Sequence, residues 1–332
     1  PLPTFFRWMM KFLRLIPMRR NMAKKRRTRS YNKKSIIKAV AFTAFTIVCI
    51  LVAVLPNAPT WGDISKWTKV NSGVVEKEGN FYVHFIDVGQ ADCILMTCGD
   101  KAIMIDAGET DSYKTIASYL TINNVKKLDY LILTHAHADH IGSADDIINN
   151  YEVDNVIMTR LTEENTPTSD VYSNLLNALA SSKAKVYAAK AGDTYKLDDI
   201  SFDILGPVKD YKELNNTSVV VKVTYGNTKF LFQGDAEAKA EKDILAAGYD
   251  VSADVIKLGH HDSRTSTDLD YLRAVNPQAA VISCGLNNSY KHPNLETIAK
   301  LESMSIPYYR TDVRGNIVIE CDGNNFSFNC ER

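Results

Sequence analysis

Short apolar runs alternate with amphipathic stretches along the chain from Asn80 to its end. Continuous or alternating apolar residues predict strands, and apolar residues spaced three or four apart predict helices. The pattern predicts strands at 81–88, 93–97, 102–106, 128–133, 155–158, 185–188, 200–205, 218–225, 229–233, 255–258, 279–283, 308–310 and 315–321, and helices at 112–122, 143–151, 170–182, 236–247, 266–275 and 295–304. Strands with helices scattered among them favour stacked layers over a single barrel.

A different pattern precedes this body, because residues 39–56 contain no charged side chain. A helix that begins at Ser35 and ends at Pro56 has 22 residues and spans about 33 Å, enough to cross a hydrocarbon core of about 30 Å. A cleaved signal peptide is the alternative, but residues 55–58 fit a small-x-small cleavage site poorly. We therefore expect an uncleaved transmembrane anchor at residues 35–56.

The net charge of zero hides a strong asymmetry. Residues 1–38 contain thirteen Lys or Arg and no Asp or Glu, so residues 39–332, with the remaining 26 basic and all 39 acidic residues, have a net charge of −13. The basic flank stays in the cytoplasm under the positive-inside rule. We expect a bacterial single-pass membrane protein with a cytoplasmic leader at 1–34, a linker at 57–79 and an extracellular domain at 80–332. Residues 1–21, which precede Met22, are either translated upstream sequence or an interfacial amphipathic helix.

The strongest chemical signal is the segment Leu-Thr-His-Ala-His-Ala-Asp-His at 133–140, directly after a predicted strand. Imidazole nitrogen and carboxylate oxygen are ligands for zinc and similar divalent ions. Residues i and i+2 of an extended segment point the same way, so His135 and His137 can hold one ion, and Asp139 and His140 a second. A histidine-rich surface loop is the alternative, but three of the seven histidines fall within six residues.

Two further segments place ligand residues just after predicted strands: Gly234-Asp235 and His260-His261. Open sheets build sites from such strand ends, and a carboxylate such as Asp235 can bridge two ions about 3.5–4 Å apart. Taken singly, Asp235 fits an ordinary turn equally well. We expect a site for one or two divalent ions, zinc first and manganese second, with candidate ligands His135, His137, Asp139, His140, Asp235, His260 and His261.

Seven segments occur in an order that resembles the metallo-β-lactamase superfamily and, within it, the C-terminal hydrolase domain of ComEC-type competence proteins. They are 83–92, 105–108, 135–140, 215–218, 234–237, 259–266 and 290–293. The resemblance implies a four-layer αββα sandwich with metals at one edge. It also implies that His135 and His137 bind the first ion, that Asp139, His140 and one of His260 and His261 bind the second, and that Asp235 bridges both.

The resemblance favours His260 as the ligand, with His261 facing the pocket or supporting another ligand. It implies that Asp106 orients a ligating imidazole. It also places His292 near the site. We assign catalytic roles to this histidine and to the two candidate metal ligands Asp139 and Asp235. Tyr290 is either a pocket hydrogen-bond donor or half-buried packing, and His84, within an apolar strand, is expected in the core.

The sequence departs from the family in three ways. Residues 215–218 offer no histidine for the first site, which argues for weak binding there and against lactam hydrolysis. Asp262 stands where this branch has glycine, and its carboxylate is expected to add negative charge beside the metals. One predicted membrane helix replaces the multi-span channel of competence proteins and cannot import DNA.

These observations predict a membrane-anchored extracellular hydrolase that attacks phosphodiesters with a metal-activated water. A nuclease is the first choice, although the acidic body opposes DNA binding, which depends on basic surface. A groove of Lys257, Arg264, Lys291 and Arg310 could supply that surface. The alternatives are an esterase for cell-wall phosphodiesters, such as phosphocholine or teichoic acid, and a non-catalytic surface metal-binding module. No protein partner can be inferred.

Of the five cysteines after the predicted anchor, Cys321 and Cys330 are the nearest candidates for a disulfide in the C-terminal tail. An exported domain can form disulfides, but unpaired buried thiols agree equally well with the sequence.

Overall fold

The computed structural model describes residues 79–332, in which fifteen strands form two sheets. The strands are β1 Phe81–Phe85, β2 Ile94–Cys98, β3 Lys101–Ile105, β4 Lys127–Leu133, β5 Glu152–Met158, β6 Lys185–Ala188, β7 Thr194–Leu197, β8 Ile200–Gly206, β9 Val220–Tyr225, β10 Thr228–Phe232, β11 Val255–Lys257, β12 Ala279–Ile282, β13 Tyr308–Arg310, β14 Ile317–Cys321 and β15 Phe326–Cys330. The first sheet has the order β15-β14-β1-β2-β3-β4-β5-β6, and the second has the order β13-β12-β11-β10-β9-β8-β7. Both sheets mix parallel and antiparallel pairs.

Helices connect the strands within the same residues. They are α1 Tyr113–Ile122, α2 Ala138–Ile141, α3 Ala144–Asn150, α4 Asp170–Ser181, α5 Ala238–Ala246, α6 Leu269–Val275, α7 Leu295–Ser303 and α8 Thr311–Arg314, with 3-10 turns at Leu214–Thr217 and Gly259–Asp262. All six predicted helices are confirmed, and their ends differ from the prediction by at most three residues.

Alternation along the strands assigns side chains to the layers. Ile132 of β4 packs between the two sheets with Phe232 of β10, whereas its neighbours Leu131 and Leu133 face helices α1, α3 and α4. On the second sheet, Ile256 of β11 faces helices α5, α6 and α7. Helices therefore cover the outer face of each sheet, and the predicted sandwich of two sheets is confirmed.

The parallel strands of both sheets end at one edge of the sandwich. In the first sheet β3 and β4 are parallel, and in the second β10, β11 and β12 are parallel. Asp106, Thr134 and Gln233 follow β3, β4 and β10 directly. This edge is where the sequence placed the metal ligands.

Three predicted segments lie outside the described residues: the leader at 1–34, the anchor at 35–56 and the linker at 57–79, of which only Gly79 is described. Among residues 79–332, no helix combines the length and the apolar character needed to cross a membrane.

The two C-terminal cysteines lie at opposite ends of the β14–β15 hairpin. Cys321 is opposite Phe326, and Cys330 is opposite Ile317. This register separates the thiols, which are unpaired. Of the two alternatives that the sequence left open, the structure has the unpaired one.

His84 is a core residue, as predicted. Its side chain is fully buried, with Nδ1 3.0 Å from the hydroxyl of Tyr119 and Nε2 3.3 Å from that of Thr97. Its hydrogen bonds explain how a polar ring is tolerated there.

Candidate metal centre

The loop after β4 brings the first two predicted ligands together. The ring nitrogens His135 Nε2 and His137 Nδ1 lie 2.9 Å apart. His137 caps the short helix α2, and its carbonyl accepts hydrogen bonds from the backbone N–H groups of His140 and Ile141. This turn makes the two imidazoles converge, as the spacing predicted.

A second group gathers Asp139, His140, Asp235 and His261, with one ligand atom from each within 4.8 Å of the others. The distance from His261 Nε2 to Asp139 Oδ2 is 3.2 Å, and that from His140 Nε2 to Asp235 Oδ1 is also 3.2 Å. Two of these residues follow strands of the first sheet and two follow strands of the second. The set of two imidazoles and two carboxylates suits a borderline divalent ion.

Two buried atoms in this group have no hydrogen-bond partner among residues 79–332: His140 Nε2 and Asp235 Oδ1. Buried polar atoms nearly always have partners, because an unpartnered one costs about 1–3 kcal/mol. The two atoms are close to each other without the geometry of a hydrogen bond. Lone pairs that converge in this way fit a bound cation, so the residues present match the divalent metal that the sequence predicts.

Asp235 faces both groups of histidines, as expected for a bridging carboxylate. Its Oδ2 lies 3.8 Å from His135 Nε2, and its Oδ1 faces His140. The hydroxyl of Ser218 accepts a hydrogen bond from the Asp235 backbone N–H at 3.0 Å. Gly234 makes this turn possible, because its φ is +53° and a Cβ there would lie 2.8 Å from the Cβ of Thr134.

The geometry favours His261 over His260 as the ligand, contrary to the preference drawn from the resemblance. Both residues have a φ of +50°, so the chain turns sharply here and delivers the second ring to the cluster. His260 Nε2 is 3.8 Å from Asp235 Oδ2, and its Nδ1 lies 3.2 Å from the hydroxyl of Thr265. His261 Nδ1 donates to the carbonyl of Ser283 at 3.0 Å, which leaves Nε2 for a metal.

Asp106 occupies the supporting position predicted for it. Its Oδ2 accepts from His140 Nδ1 at 2.8 Å, and its two oxygens also accept from the backbone N–H and hydroxyl of Thr134. Burial raises the pKa of Asp106, while the charge of His140 lowers it. This carboxylate fixes the ring of a candidate ligand.

Lys257 is not part of an exposed basic groove, which corrects the prediction. Its ammonium forms a fully buried ion pair with Asp92 at 2.5 Å. Burial opposes ionisation of Asp92, but Lys257 and then His261 lower its pKa to about 2. Asp92 Oδ1 is also 3.4 Å from His261 Nδ1. Sequence reasoning missed this role, although Asp92 closes one of the family segments.

The predicted effect of Asp262 is also corrected. Its side chain is buried, and neither carboxyl oxygen has a hydrogen-bond partner among residues 79–332. Burial raises its pKa to about 8, against the opposing charges of Lys300, Arg310 and Lys257. The carboxyl is therefore mostly neutral at pH 7 and adds little negative charge. Its φ of +68° gives a reason for glycine at this position in the family.

His292 lies beside the cluster but outside the group of four. Its ring centroid is 5.8 Å from that of His260 and 6.5 Å from that of His261. Burial and then the charges of His261 and His260 lower its pKa to about 4, so the ring is neutral. Tyr290 stacks on it at 5.7 Å and is 69% exposed, so it is not the half-buried packing residue that the sequence allowed.

Known proteins resemble this chain in both sequence and fold. A family model described as the metallo-beta-lactamase superfamily matches residues 86–286. ComE operon protein 3 of Bacillus subtilis is 31% identical over 254 residues, which cover 71% of this chain and 32% of that protein. Competence protein ComA of Neisseria gonorrhoeae is 27% identical, over 69% of this chain and 30% of that protein. Recombination protein 2 of Haemophilus influenzae is 29% identical, over 71% of this chain and 28% of that protein.

The chain thus spans about a third of the length of these curated relatives. Among solved structures, the metallo-beta-lactamase fold protein YhfI of Bacillus subtilis aligns with a TM-score of 0.51 at 11% identity, over 73% of this chain and 99% of that one. Identity at this level shows the fold alone. Together with the ordered motifs and the cluster of histidines and aspartates, these matches show that the chain belongs to the metallo-β-lactamase superfamily, as a metallo-hydrolase related to the ComEC-type competence proteins.

Proposed function

We propose that this metallo-hydrolase is a phosphodiesterase, anchored by residues 35–56 with its catalytic domain outside the cell, and that nucleic acid is its first candidate substrate. The observation that supports it best is the position of Asp235 between His135 on one side and the group of Asp139, His140 and His261 on the other. A carboxylate between two sets of ligands is the arrangement of two-metal hydrolases.

The roles of the residues follow from this arrangement. His135 and His137 would hold one ion, Asp139, His140 and His261 the other, and Asp235 would contact both. A bound divalent ion lowers the pKa of water and neutralises charge on phosphoryl oxygens. Diester cleavage needs mainly positioning and charge stabilisation, which suits a site of this kind.

Cell-wall phosphodiesters are the second candidate substrate. The small number of unpaired basic residues near the site favours them over a long polyanion such as DNA. Two of the four residues expected to form a DNA groove already have carboxylate partners, since Lys257 pairs with Asp92 and Arg310 binds Asp312 through two hydrogen bonds of 3.0 and 2.6 Å. Exposed Arg264 and Lys291 remain. A long polyanion needs several free cations, whereas a short diester needs few.

The direct test is turnover of bis-p-nitrophenyl phosphate by the full-length protein in detergent with Zn²⁺ or Mn²⁺. We expect Asp139→Ala and Asp235→Asn to reduce kcat by at least about 10²-fold, because each contributes to charge stabilisation. Asp210→Asn, at an exposed aspartate, is the matched control and should keep full activity. Equal turnover by all four proteins would contradict the proposal.

Substrate identity needs separate assays. Cleavage of plasmid or single-stranded DNA that weakens with rising salt supports the nuclease. Release of choline phosphate from wall fragments supports the esterase. Tight metal binding without turnover of either substrate would instead indicate the non-catalytic surface module.

The proposed location can be tested by protease treatment of intact cells. Protease should remove the domain that contains His135 and leave the first forty residues protected, because the basic flank is cytoplasmic under the proposal. Lysed cells, in which both parts are cut, are the control. A domain that survives in intact cells and is cut only after lysis would rule out the extracellular location.

A further inference from the structure

The side chain of Gln90 joins the loop after β1 to the ring of His292. Gln90 Nε2 lies 3.3 Å from His292 Nδ1, and Gln90 Oε1 lies 2.9 Å from the backbone nitrogen of Gly285. These contacts link residues that are 202 and 195 positions apart in the sequence. They lie beside the metal cluster without belonging to it.

The partners determine which way the Gln90 amide points. A backbone N–H can only donate, so the atom facing Gly285 must be the amide oxygen. The NH₂ group then faces His292 Nδ1 and donates to it, which requires an unprotonated nitrogen at that position. A neutral imidazole with an acceptor at Nδ1 has its proton on Nε2.

The backbone around Gly285 holds this contact in place. A Cβ on Gly285 would lie 2.7 Å from the backbone nitrogen of Gln90, so the two loops meet at a distance that only glycine allows. The preceding residue, Cys284, is tied to Thr311 by hydrogen bonds of 2.9 and 3.1 Å. The donor that orients Gln90 is therefore fixed by two independent features.

We propose that Gln90 is a positioning residue that holds His292 in its Nε2–H tautomer, so that the ring presents a hydrogen-bond donor to an oxygen of the substrate beside the metals. Within residues 79–332, no protein atom forms a hydrogen bond with His292 Nε2, which leaves that nitrogen available to a ligand. The ring centroid of His292 lies 5.8 Å from that of His260 and 6.5 Å from that of His261, so the imidazole is next to the candidate ligands. A neutral donor suits a phosphoryl oxygen, on which charge develops during cleavage.

The catalytic part of this inference rests on the proposed phosphodiesterase, but the tautomer does not. The first measurement is therefore spectroscopic: long-range ¹H–¹⁵N spectra of the full-length, ¹⁵N-histidine-labelled protein with Zn²⁺ in detergent, with the His292 signals assigned from His292→Gln. A protonated and an unprotonated imidazole nitrogen resonate far apart, so the spectra report the tautomer without any substrate.

Gln90→Glu and Gln90→Met change the contact in opposite ways. Glutamate can still accept from Gly285 N–H, but its other oxygen accepts from Nδ1–H and should move His292 to the Nδ1–H tautomer. Methionine has similar length and no amide, and should give a mixture of tautomers. In the diesterase assay, both variants should lower kcat by about 10²-fold while KM changes little, since the lost donor acts on developing charge.

Asn288 provides the matched control, because it holds the backbone of His292 rather than its ring. Its side chain accepts from His292 N–H at 2.9 Å and donates to the carbonyls of His292 at 2.6 Å and Gly285 at 2.8 Å. The backbone beside Gly285 keeps its separate hydrogen bonds to Thr311 when Asn288 is replaced. Asn288→Ala should loosen the loop and leave the Nε2–H tautomer in place.

An Nδ1–H tautomer in the wild type, or an unchanged tautomer in both Gln90 variants, would overturn the proposal. A tautomer change of equal size in Asn288→Ala would overturn it too, because loop order rather than Gln90 would then set the proton. A changed tautomer with unchanged kcat would refute the catalytic part. If the wild type turns over no diester at all, the proposed phosphodiesterase fails, while the spectra still decide the role of Gln90.

Discussion

Asp106 Oδ2 lies 2.8 Å from His140 Nδ1, and both side chains are fully buried. The pair fixes His140 as a ring that donates from Nδ1 and offers its Nε2 lone pair to the cluster. Thr134 donates to both oxygens of the carboxylate, from its backbone N–H to Oδ1 and from its hydroxyl to Oδ2, each at 2.8 Å. A metal bound in the cluster would therefore depend on Asp106 as well, because this carboxylate sets the direction of the His140 ring.

We expect Asp106→Asn to weaken Zn²⁺ binding by about 10- to 100-fold, which is the usual effect of losing such a partner. Competition with a chromogenic chelator would measure the affinity. Asp129→Asn is the control, because Asp129 is a buried acceptor on the same sheet. It lies near the start of β4 and accepts from the backbone N–H of Ala102 in β3 at 2.9 Å. This control variant should lower stability and leave metal affinity unchanged. Equal affinity in the two variants would contradict the role of Asp106.

The neighbouring histidines provide a second test. His261→Ala should reduce metal affinity by more than about 100-fold, beyond the effect of an outer partner, because its Nε2 belongs to the cluster. His260→Ala should have a smaller effect, since this ring is partly exposed and hydrogen-bonded to Thr265. Titration of both variants with Zn²⁺ would decide the matter, and the reverse order of affinities would return the ligand role to His260.

Glu241 should make stability depend on pH. Burial raises its pKa from 4.5 to about 7, against the backbone N–H donors of Asp268 and Thr267. The folded state then binds this proton more tightly than the unfolded state, so the stabilisation is full below about pH 4.5 and is lost as the pH rises towards 7. At about 1.4 kcal/mol per pH unit, the loss is about 3 kcal/mol.

Urea unfolding at pH 5 and pH 8 would measure this term as the difference between the wild type and Glu241→Gln. The variant should lose about 3 kcal/mol less between the two pH values. Glu296→Gln, at an exposed glutamate in the first turn of α7, should behave like the wild type. The same pH dependence in all three proteins would show that Glu241 titrates alike in both states.

Asp262→Gly should stabilise the domain by about 1–2 kcal/mol. Glycine relieves the positive φ of +68° and removes a buried carboxyl that has no hydrogen-bond partner among the described residues. Asp262→Asn is the matched comparison, because asparagine tolerates this backbone but keeps a polar side chain, and it should gain less. Denaturant unfolding at pH 7 would measure both, and a loss of stability in the glycine variant would mean that the carboxyl has a structural role.

Much of the fold could be predicted because buried strands and amphipathic helices leave strong periodic patterns. The elements that were missed lack them. β7 alternates exposed and half-buried residues, β15 is a half-buried edge strand, and α2 has only four residues. Such elements are stabilised by tertiary contacts rather than by a local pattern of their own.

The residues of the site could be predicted more completely than their contacts. The choice between His260 and His261 depends on two successive residues with positive φ angles, and histidine at these positions does not predict such a backbone conformation. Lys257 resembled a free cation because Asp92, its buried partner, lies far away in the sequence. The pairing of Arg310 with Asp312, two residues away, was open to detection as a local charge pair.

The site draws its ligands from both sheets. His261 Nε2 lies 3.2 Å from Asp139 Oδ2, although the two residues are 122 positions apart in the sequence. An ion bound to both residues would act as a reversible cross-link that closes the 122-residue segment between them, and this cross-link would form only where metal is present. At a free metal concentration one hundred times the Kd, metal binding would raise the free energy of unfolding by about 2.7 kcal/mol. The lifetime of the folded domain would then follow the metal supply of its surroundings, and a metal-poor environment would shorten that lifetime as well as silence the enzyme.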